Sequence, residues 1–163
     1  MFKVGDRLIY GTTGVCVIEG TCMKKIGDES RKYYVIKPVY SANSTIFAPV
    51  GKPNDLMRPL LSREELEWLL GEFSEGKMDW ITDHRKRKER FGEIIKSGDR
   101  LSILKMIRTL YEKHNELLEC NKRISSADEN ILRTAERLMN EEFAAVFDVD
   151  ISSVPDLILS YIK

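Results

Sequence analysis

The sequence has no excess of charge of either sign, few cysteines or histidines, and no long apolar run. Its 163 residues include 26 acidic and 26 basic side chains, which argues against a protein that binds DNA tightly by electrostatics alone. No apolar stretch approaches the roughly 20 residues of a membrane span, and the first ten residues lack a signal-peptide layout. We therefore expect a cytoplasmic protein that makes no contact with a membrane.

The few cysteines and histidines limit metal and nucleophile chemistry. Cys16 and Cys22 lie in an apolar, strand-like region, and with Cys120 they form no C-x-x-C pair. Buried thiols are therefore favoured over a disulfide or a metal site. Of the two histidines, His84 and His114, the second falls on an apolar helical stripe, which favours a hydrogen-bonded residue at the edge of a core.

Motifs of catalysis are absent from the sequence as well. It contains no P-loop, dinucleotide-binding glycine pattern, zinc-protease motif or serine-hydrolase motif. The pairs Glu64–Glu65 and Glu141–Glu142 are expected in first helical turns or on polar faces, where carboxylates are solvated or complement the helix dipole. We expect neither an enzyme nor a cofactor. A small hydrolase or metal protein is an alternative, and equilibrium dialysis without stoichiometric zinc binding would count against its metal form.

Hydrophobic periodicity divides the chain into two parts. Residues 1–50 alternate and contain tight turns, which predicts four or five short strands in a small antiparallel sheet or barrel. Residues 51–60, rich in Pro, Gly and Asn, predict a loop that leaves the sheet. From Ser62 onward the period is helical. We expect an α+β protein with a β domain at 1–60 and an all-α bundle at 61–163.

The helical part carries clear start and stop signals. Ser62 with Glu65 predicts a capping box, and residues 126–129 predict a second one. Residues 73–78 predict a linker, followed by a helix from about Asp79 to Lys96 that "SGD" at 97–99 ends. An apolar stripe then predicts a third helix, and Pro155 fits the first turn of a short last helix from about Ser153. The stripe of the third helix consists of Leu104, Ile107, Tyr111, His114 and Leu118.

The stretch "MDWITDHRKRKERF" at residues 78–91 combines an aromatic residue with a basic run. Six of the seven residues from His84 to Arg90 are basic when the histidine is counted. In a continuous helix Trp80 would lie only about 20° from Phe91, which favours a core residue. His84 and Arg87 fall between them on the same face, which favours a helix end that projects with charge all round. Such a helix is either solvated or lies along a polyanion.

The opening "FKVGDRLIYGTTGVCVIEG", followed by "KKIGDESRKYYVIK" and "TIFAPV", resembles the CarD/CdnL family of bacterial transcription regulators. The resemblance continues through "MRPLLSREELEWLL", the Trp80 region, "IIKSGD" and "EEFAAV", and covers about residues 1–147. The N-terminal domain of the family is shared with transcription-repair coupling factor. The opening pattern and the helix-breaking "SGD" are specific in combination, whereas either alone is a weak signal.

The resemblance implies a Tudor-like β domain that binds the β subunit of bacterial RNA polymerase by placing a strand against its protrusion or lobe. It also implies a helical domain that meets promoter DNA at the upstream edge of the melted −10 region. There, in the family, a tryptophan wedges into the minor groove and stabilises the open complex. A monomer without a cofactor is implied, acting in the bacterial cytoplasm and associated with the nucleoid through polymerase.

The resemblance also assigns residues. The polymerase contacts fall on Lys24, Lys25, Ile46 and Phe47, although many relatives have a basic residue where Phe47 stands. A core position for Phe47 is the alternative.

The DNA contacts fall on Trp80 and the basic run, consisting of His84, Arg85, Lys86, Arg87, Lys88 and Arg90. Trp80 lies one helical turn farther from "SGD" than the tryptophan of many relatives, and His84 stands at the usual position. Either residue could occupy the groove, and the shared helical face favours Trp80. A different class of function is a protein–protein adaptor that docks polymerase or another partner without touching DNA.

Overall fold

The computed structural model describes residues 1–41, 44–73 and 76–162. The chain forms two compact units, Met1–Leu60 and Leu61–Lys163. The first contains an antiparallel sheet and the second is helical, which confirms the α+β class. Of the expected linker at 73–78, Phe73 ends a helix, residues 76–78 are not helical, and Ser74 and Glu75 lie outside the described residues.

Five strands build the first unit, in the spatial order β4-β3-β2-β1-β5. They are β1 (Arg7–Tyr10), β2 (Gly14–Ile26), β3 (Glu29–Pro38), β4 (Ile46–Pro49) and β5 (Met57–Pro59). Their inward residues form one small core, consisting of Leu8, Cys16, Ile18, Tyr34, Ile36 and Ala48. Cys16 is a buried free thiol as expected, Cys22 is half-buried and free, and Cys120 is exposed and free.

The β2–β3 hairpin extends beyond this core. Its two strands pair from Cys16 opposite Pro38 to Ile26 opposite Glu29, whereas β4 covers β3 only between Tyr33 and Ile36. Gly27, with a φ of 65°, permits the tight turn at the tip. The end of the hairpin is therefore a two-stranded projection with exposed side chains on both faces.

Helices of the second unit surround a single core in which Phe91, Met106, Leu110 and Phe143 are fully buried. They are α1 (Arg63–Phe73), α2 (His84–Ser97), α3 (Arg100–Glu119), α4 (Ser126–Phe147) and α5 (Val154–Ile162), with a 3-10 turn at Ile151–Ser153 before the last. None of the helices in the described ranges is long and apolar enough to cross a membrane.

Several helix ends match their sequence signals. The Ser62 amide donates to Glu65 at 2.7 Å and the Glu65 amide donates to the Ser62 hydroxyl at 3.1 Å, which is the expected capping box. Gly98 is left-handed, with a φ of 68°, and ends α2 where "SGD" predicts an end. For α4 the cap is Ser125 rather than Ser126, because its hydroxyl accepts from the amide of Asp128.

The expected start of the second helix near Asp79 is wrong. The carboxylate of Asp83 accepts from the Lys86 amide at 3.0 Å and caps α2, which begins at His84. Trp80 therefore precedes the helix, so the basic run forms the first two turns of α2 itself. A charged helix end that projects with Trp80 at its tip does not exist.

Two expectations about helix faces also need correction. Tyr111 and Leu118 are exposed because the buried face of α3 turns away from the predicted stripe toward Ile103, Met106 and Leu110. Glu141 and Glu142 are buried rather than solvated, with 3% and 2% of their surface exposed. Both are compensated by arginines, through the ion pairs Arg137–Glu141 and Arg100–Glu142.

Candidate nucleic-acid and polymerase interfaces

The basic run on α2 divides into one buried residue and five exposed ones. Arg87 is 6% exposed and points into the second unit. The exposed members are His84, Arg85, Lys86, Lys88 and Arg90. Arg90 lies 3.5 Å from Glu93, whereas Arg85, Lys86 and Lys88 make no ion pair with any described residue. These three cations are therefore available to a polyanion.

Arg87 has a structural role, because all of its donors are used inside the protein. Its Nε and Nη2 atoms donate to the two carboxylate oxygens of Asp128 on α4, at 3.0 and 2.8 Å. Nη1 donates to the carbonyls of Ile81 and Thr82 at 3.0 and 3.4 Å. A second donor of Nη2 faces Nδ1 of His84 at 2.9 Å. Five contacts match the five N–H groups of a guanidinium, which leaves no donor for a phosphate.

The contact with Arg87 also determines which ring nitrogen of His84 faces solvent as a donor. A guanidinium has no acceptor atom, so Nδ1 of His84 must be the acceptor and the ring proton must sit on Nε2. His84 is exposed at the first position of α2. It therefore presents its Nε2–H donor beside the exposed cations.

Trp80 is half-buried and held on three sides. Its ring packs edge-to-face against Phe91, with centroids 6.4 Å apart. The Arg87 guanidinium carbon lies 4.5 Å from the ring centroid, and the Lys113 ammonium lies 5.4 Å from it. The expected shared face of one helix is wrong, because Trp80 lies before α2 and contacts Phe91 from that preceding segment.

Charges of both signs border the rest of Trp80. A pocket of about 250 Å³ beside it is lined by Lys77, Glu112, Lys113 and Glu116, among other residues. Hydrogen bonds from Lys77 and then from Arg108 hold the pKa of Glu112 below its ordinary value, so this carboxylate is ionised at neutral pH. Glu112 is paired with Lys77 and Arg108, and Glu116 is paired with Lys113, so the charges beside Trp80 largely compensate one another.

The residues expected to contact polymerase lie together on the first unit. Phe47 is on the edge strand β4 and is 41% exposed, while its neighbour Ile46 faces the core. The Lys24 ammonium lies 3.3 Å from the centroid of the Phe47 ring, and Lys25 is exposed beside it on the hairpin. Phe47 is therefore a surface residue on a sheet edge and not a core residue.

Comparisons with known proteins match nearly the whole chain. Residues 2–61 match the CarD-like/TRCF RID domain and residues 67–159 match the CarD C-terminal domain. The chain is 24% identical over 147 residues to the "Putative transcription factor YdeB" of Bacillus subtilis (strain 168), which covers 90% of the chain and 92% of that protein. The chain belongs to the CarD family.

Membership in the CarD family gives the protein a coarse function. The family consists of transcription regulators and is not a class of enzymes. The RID domain is an RNA polymerase-interacting domain, so the first unit is the polymerase-interacting part of this CarD-family protein. Within the described residues, no cluster of three or more His, Cys, Asp or Glu side chains could hold a metal ion.

Two features of this CarD-family protein were missed by sequence reasoning. Nothing in the sequence links Arg87 to Asp128, because 41 residues separate them. The second feature is Trp68 on α1, which is 58% exposed. Its exposure could have been predicted from helical periodicity. At 100° per residue it lies about 150° from the middle of the stripe formed by Leu66, Leu69 and Leu70, which predicts an exposed aromatic side chain.

The Arg87–Asp128 pair leads to a stability prediction. Asp128→Ala leaves a buried guanidinium without its carboxylate and should lower the free energy of unfolding by about 3–5 kcal/mol. Glu129→Ala is a matched control on the same helical turn, because Glu129 pairs with Arg133 on the surface and its loss should cost less than about 1 kcal/mol. Urea unfolding of both variants measures the difference. Equal losses would show that the buried pair does not anchor α2.

Proposed function

We propose that the protein binds the β subunit of RNA polymerase through its first unit and promoter DNA through the start of α2, and thereby stabilises the open complex. The observation that carries the DNA part is the set of unpaired exposed cations, Arg85, Lys86 and Lys88, in the first two turns of one capped helix. Phosphate contacts from such side chains give a sequence-independent, salt-sensitive affinity. Tethering to polymerase raises the effective concentration of this weak site at the promoter.

The polymerase contact would use the edge strand β4 and the hairpin beside it. A sheet edge offers unpaired backbone groups to which a strand of a partner can add. Phe47, stacked under Lys24, supplies an apolar surface with a positive charge next to that edge. Aromatic and basic side chains of this kind are common anchors of protein interfaces.

We assign the position at the DNA groove to His84 rather than to Trp80. Trp80 is fixed between Phe91, Arg87 and Lys113, so its ring is not free to insert at a base step without leaving these contacts. His84 begins α2 among the exposed cations and offers its Nε2–H group, a donor suited to the acceptors on minor-groove base edges. Trp80 and Arg87 then act beneath it as positioning residues.

Stabilisation of the open complex would follow from differential binding. A protein that contacts DNA at the edge of the bubble binds the open complex better than the closed one, and this difference shifts the equilibrium toward the open state. No chemical step is required. An adaptor that only joins polymerase to another protein is the second candidate. The exposed Trp68 side chain on α1 supports it.

Removing two phosphate contacts should weaken the action at promoters. In Arg85→Ala/Lys88→Ala the open-complex lifetime should fall several-fold, and the slope of log affinity against log salt should decrease by about 2. Lys122→Ala/Arg133→Ala removes two exposed cations elsewhere in the second unit and should change the lifetime little. If polymerase binds the Arg85/Lys88 variant normally and the lifetime is unchanged, the DNA role fails and the adaptor remains.

His84 and Trp80 can be separated by comparing two substitutions. His84→Ala removes the proposed groove residue and should shorten the open-complex lifetime, with the fold intact by circular dichroism. Trp80→Phe keeps an aromatic ring between Phe91 and Arg87 and should have the smaller effect. The reverse order, with Trp80→Phe more damaging at unchanged stability, would assign the groove to Trp80.

A substitution at Phe47 tests the proposed polymerase contact. Phe47→Ala removes the apolar side chain at the edge of β4 and should weaken association with polymerase by about tenfold, the scale of an interface anchor. Val4→Ala shortens another exposed apolar residue of the first unit and serves as the control. Surface plasmon resonance with immobilised polymerase distinguishes the two, and equal affinities of both variants would remove Phe47 from the interface.

A further inference from the structure

The second unit has an apolar groove at the end of α2 that lies opposite the basic run. Its volume is about 430 Å³, and it is lined by Leu61, Glu65, Trp68, Leu69, Gly98, Asp99, Arg100 and Leu101. The 14 residues of α2 separate Gly98 from His84 by about 20 Å. This surface, which we call the Trp68 groove, is therefore distinct from the proposed DNA contacts.

A single buried carboxylate fixes both walls of the Trp68 groove. Glu142 accepts from the backbone amide of Leu61 at 3.0 Å, just before α1. It also accepts from Nε and Nη2 of Arg100, at the start of α3, at 3.1 and 3.0 Å. The capping box at Ser62 and the left-handed Gly98 hold the adjoining helix ends. The groove is thus pre-formed, as binding pockets usually are.

Charge at the Trp68 groove is negative. Glu65 and Asp99 are exposed at its rim, and no ion pair joins either one to a basic side chain of the described chain. Arg100, the basic residue among its lining side chains, is neutralised by Glu142. The sequence of α1 adds to the negative charge, because it contains four acidic residues and one basic residue. Such a surface repels nucleic acid and attracts a cationic partner.

Trp68 is the dominant exposed apolar side chain of the Trp68 groove, with 58% of its surface exposed. Tryptophan is among the side chains most enriched in the energetic centres of protein interfaces. Its ring face is also the best aromatic partner for a lysine or arginine. An apolar floor, an exposed indole and an acidic rim together fit a peptide that presents one large apolar residue beside basic ones.

We propose that the Trp68 groove docks a short segment of a partner protein in which a large apolar side chain adjoins arginine or lysine. The apolar side chain fills the space between Leu61, Leu69 and Leu101, and the basic side chain stacks on Trp68 and faces Glu65 and Asp99. This is a protein-binding surface additional to the polymerase and DNA contacts. It is independent of them, since it lies on other residues.

Nuclear magnetic resonance of the full-length ¹⁵N-labelled chain tests the proposal without polymerase or DNA. The chain has two tryptophans, so its spectrum contains two indole N–H signals, and Trp68→Phe identifies them. The probe is an acetylated, amidated Gly/Ser decapeptide with Leu-Arg-Arg at its centre. It should shift the Trp68 signal saturably, with a dissociation constant below about 1 mM, and leave the Trp80 signal in place. Peptides with Leu-Glu-Glu or Ser-Arg-Arg at the centre should bind at least tenfold more weakly.

Variants of the Trp68 groove supply the matched controls. Glu65→Gln/Asp99→Asn removes both charges but keeps residues that can cap helices, and it should weaken binding at least tenfold. Glu116→Gln/Glu119→Gln removes two exposed charges from the other end of α3 and should leave binding unchanged. Trp68→Ala should abolish binding, whereas Leu118→Ala, another exposed apolar residue, should not.

Four outcomes would overturn the proposal. The first two are absence of binding by all three peptides and binding of the acidic peptide as tight as that of the basic one. The third is a Trp68 signal that moves with protein concentration alone. The fourth is an Overhauser contact between Trp68 and another segment of the same chain. The third would indicate a second copy in the groove, and the fourth would indicate that the chain covers it.

Discussion

The buried ion pair between Arg87 and Asp128 determines how the basic run of this CarD-family protein is used. The guanidinium binds the carboxylate from α4, the carbonyls of Ile81 and Thr82, and the ring of His84. Those carbonyls are available only because the chain is not helical there, since in a continuous helix they would accept from amides four residues on. The pair therefore sets the start of α2. It buries Arg87, whereas the other basic residues of the run stay exposed to solvent. A buried charge is tolerated in this position because every donor has a partner.

The second unit separates its charges along α2. At the first turns, exposed cations and His84 form a surface suited to phosphates, and Trp80 supports it from below through Phe91 and Arg87. At the last turn, Glu65, Asp99 and the exposed Trp68 form a surface suited to a cationic peptide. A formal net charge of zero hides this polarity. Two buried carboxylates on α4 hold these two surfaces in place. Asp128 pairs with Arg87 at the first turns of α2, and Glu142 pairs with Arg100 just after its last turn.

The sequence predicted those features of the fold that depend on interactions between residues near each other in the chain. The α+β division, the capping box at Ser62 and the end of α2 at "SGD" follow from periodicity, side-chain caps and a left-handed glycine. The start of α2 could not be predicted in this way, because Asp79 and Asp83 are equally good cap residues and a partner 41 residues away decides between them. Burial of Glu141 and Glu142 was missed for the same reason. The candidate site stays a prediction. The burial of Arg87 and the surroundings of Trp80 depend on tertiary pairing that no sequence spacing encodes.

The central claim is that the protein, held on polymerase, contacts promoter DNA through exposed cations and favours the melted state. A fluorescence assay of promoter melting by polymerase, with and without the protein and at two salt concentrations, tests it most directly. The account predicts a larger open fraction with the protein, and a gain that is greater at the lower salt concentration because phosphate contacts weaken with salt. An open fraction that does not change at either salt concentration, although the protein is bound to polymerase, would contradict it.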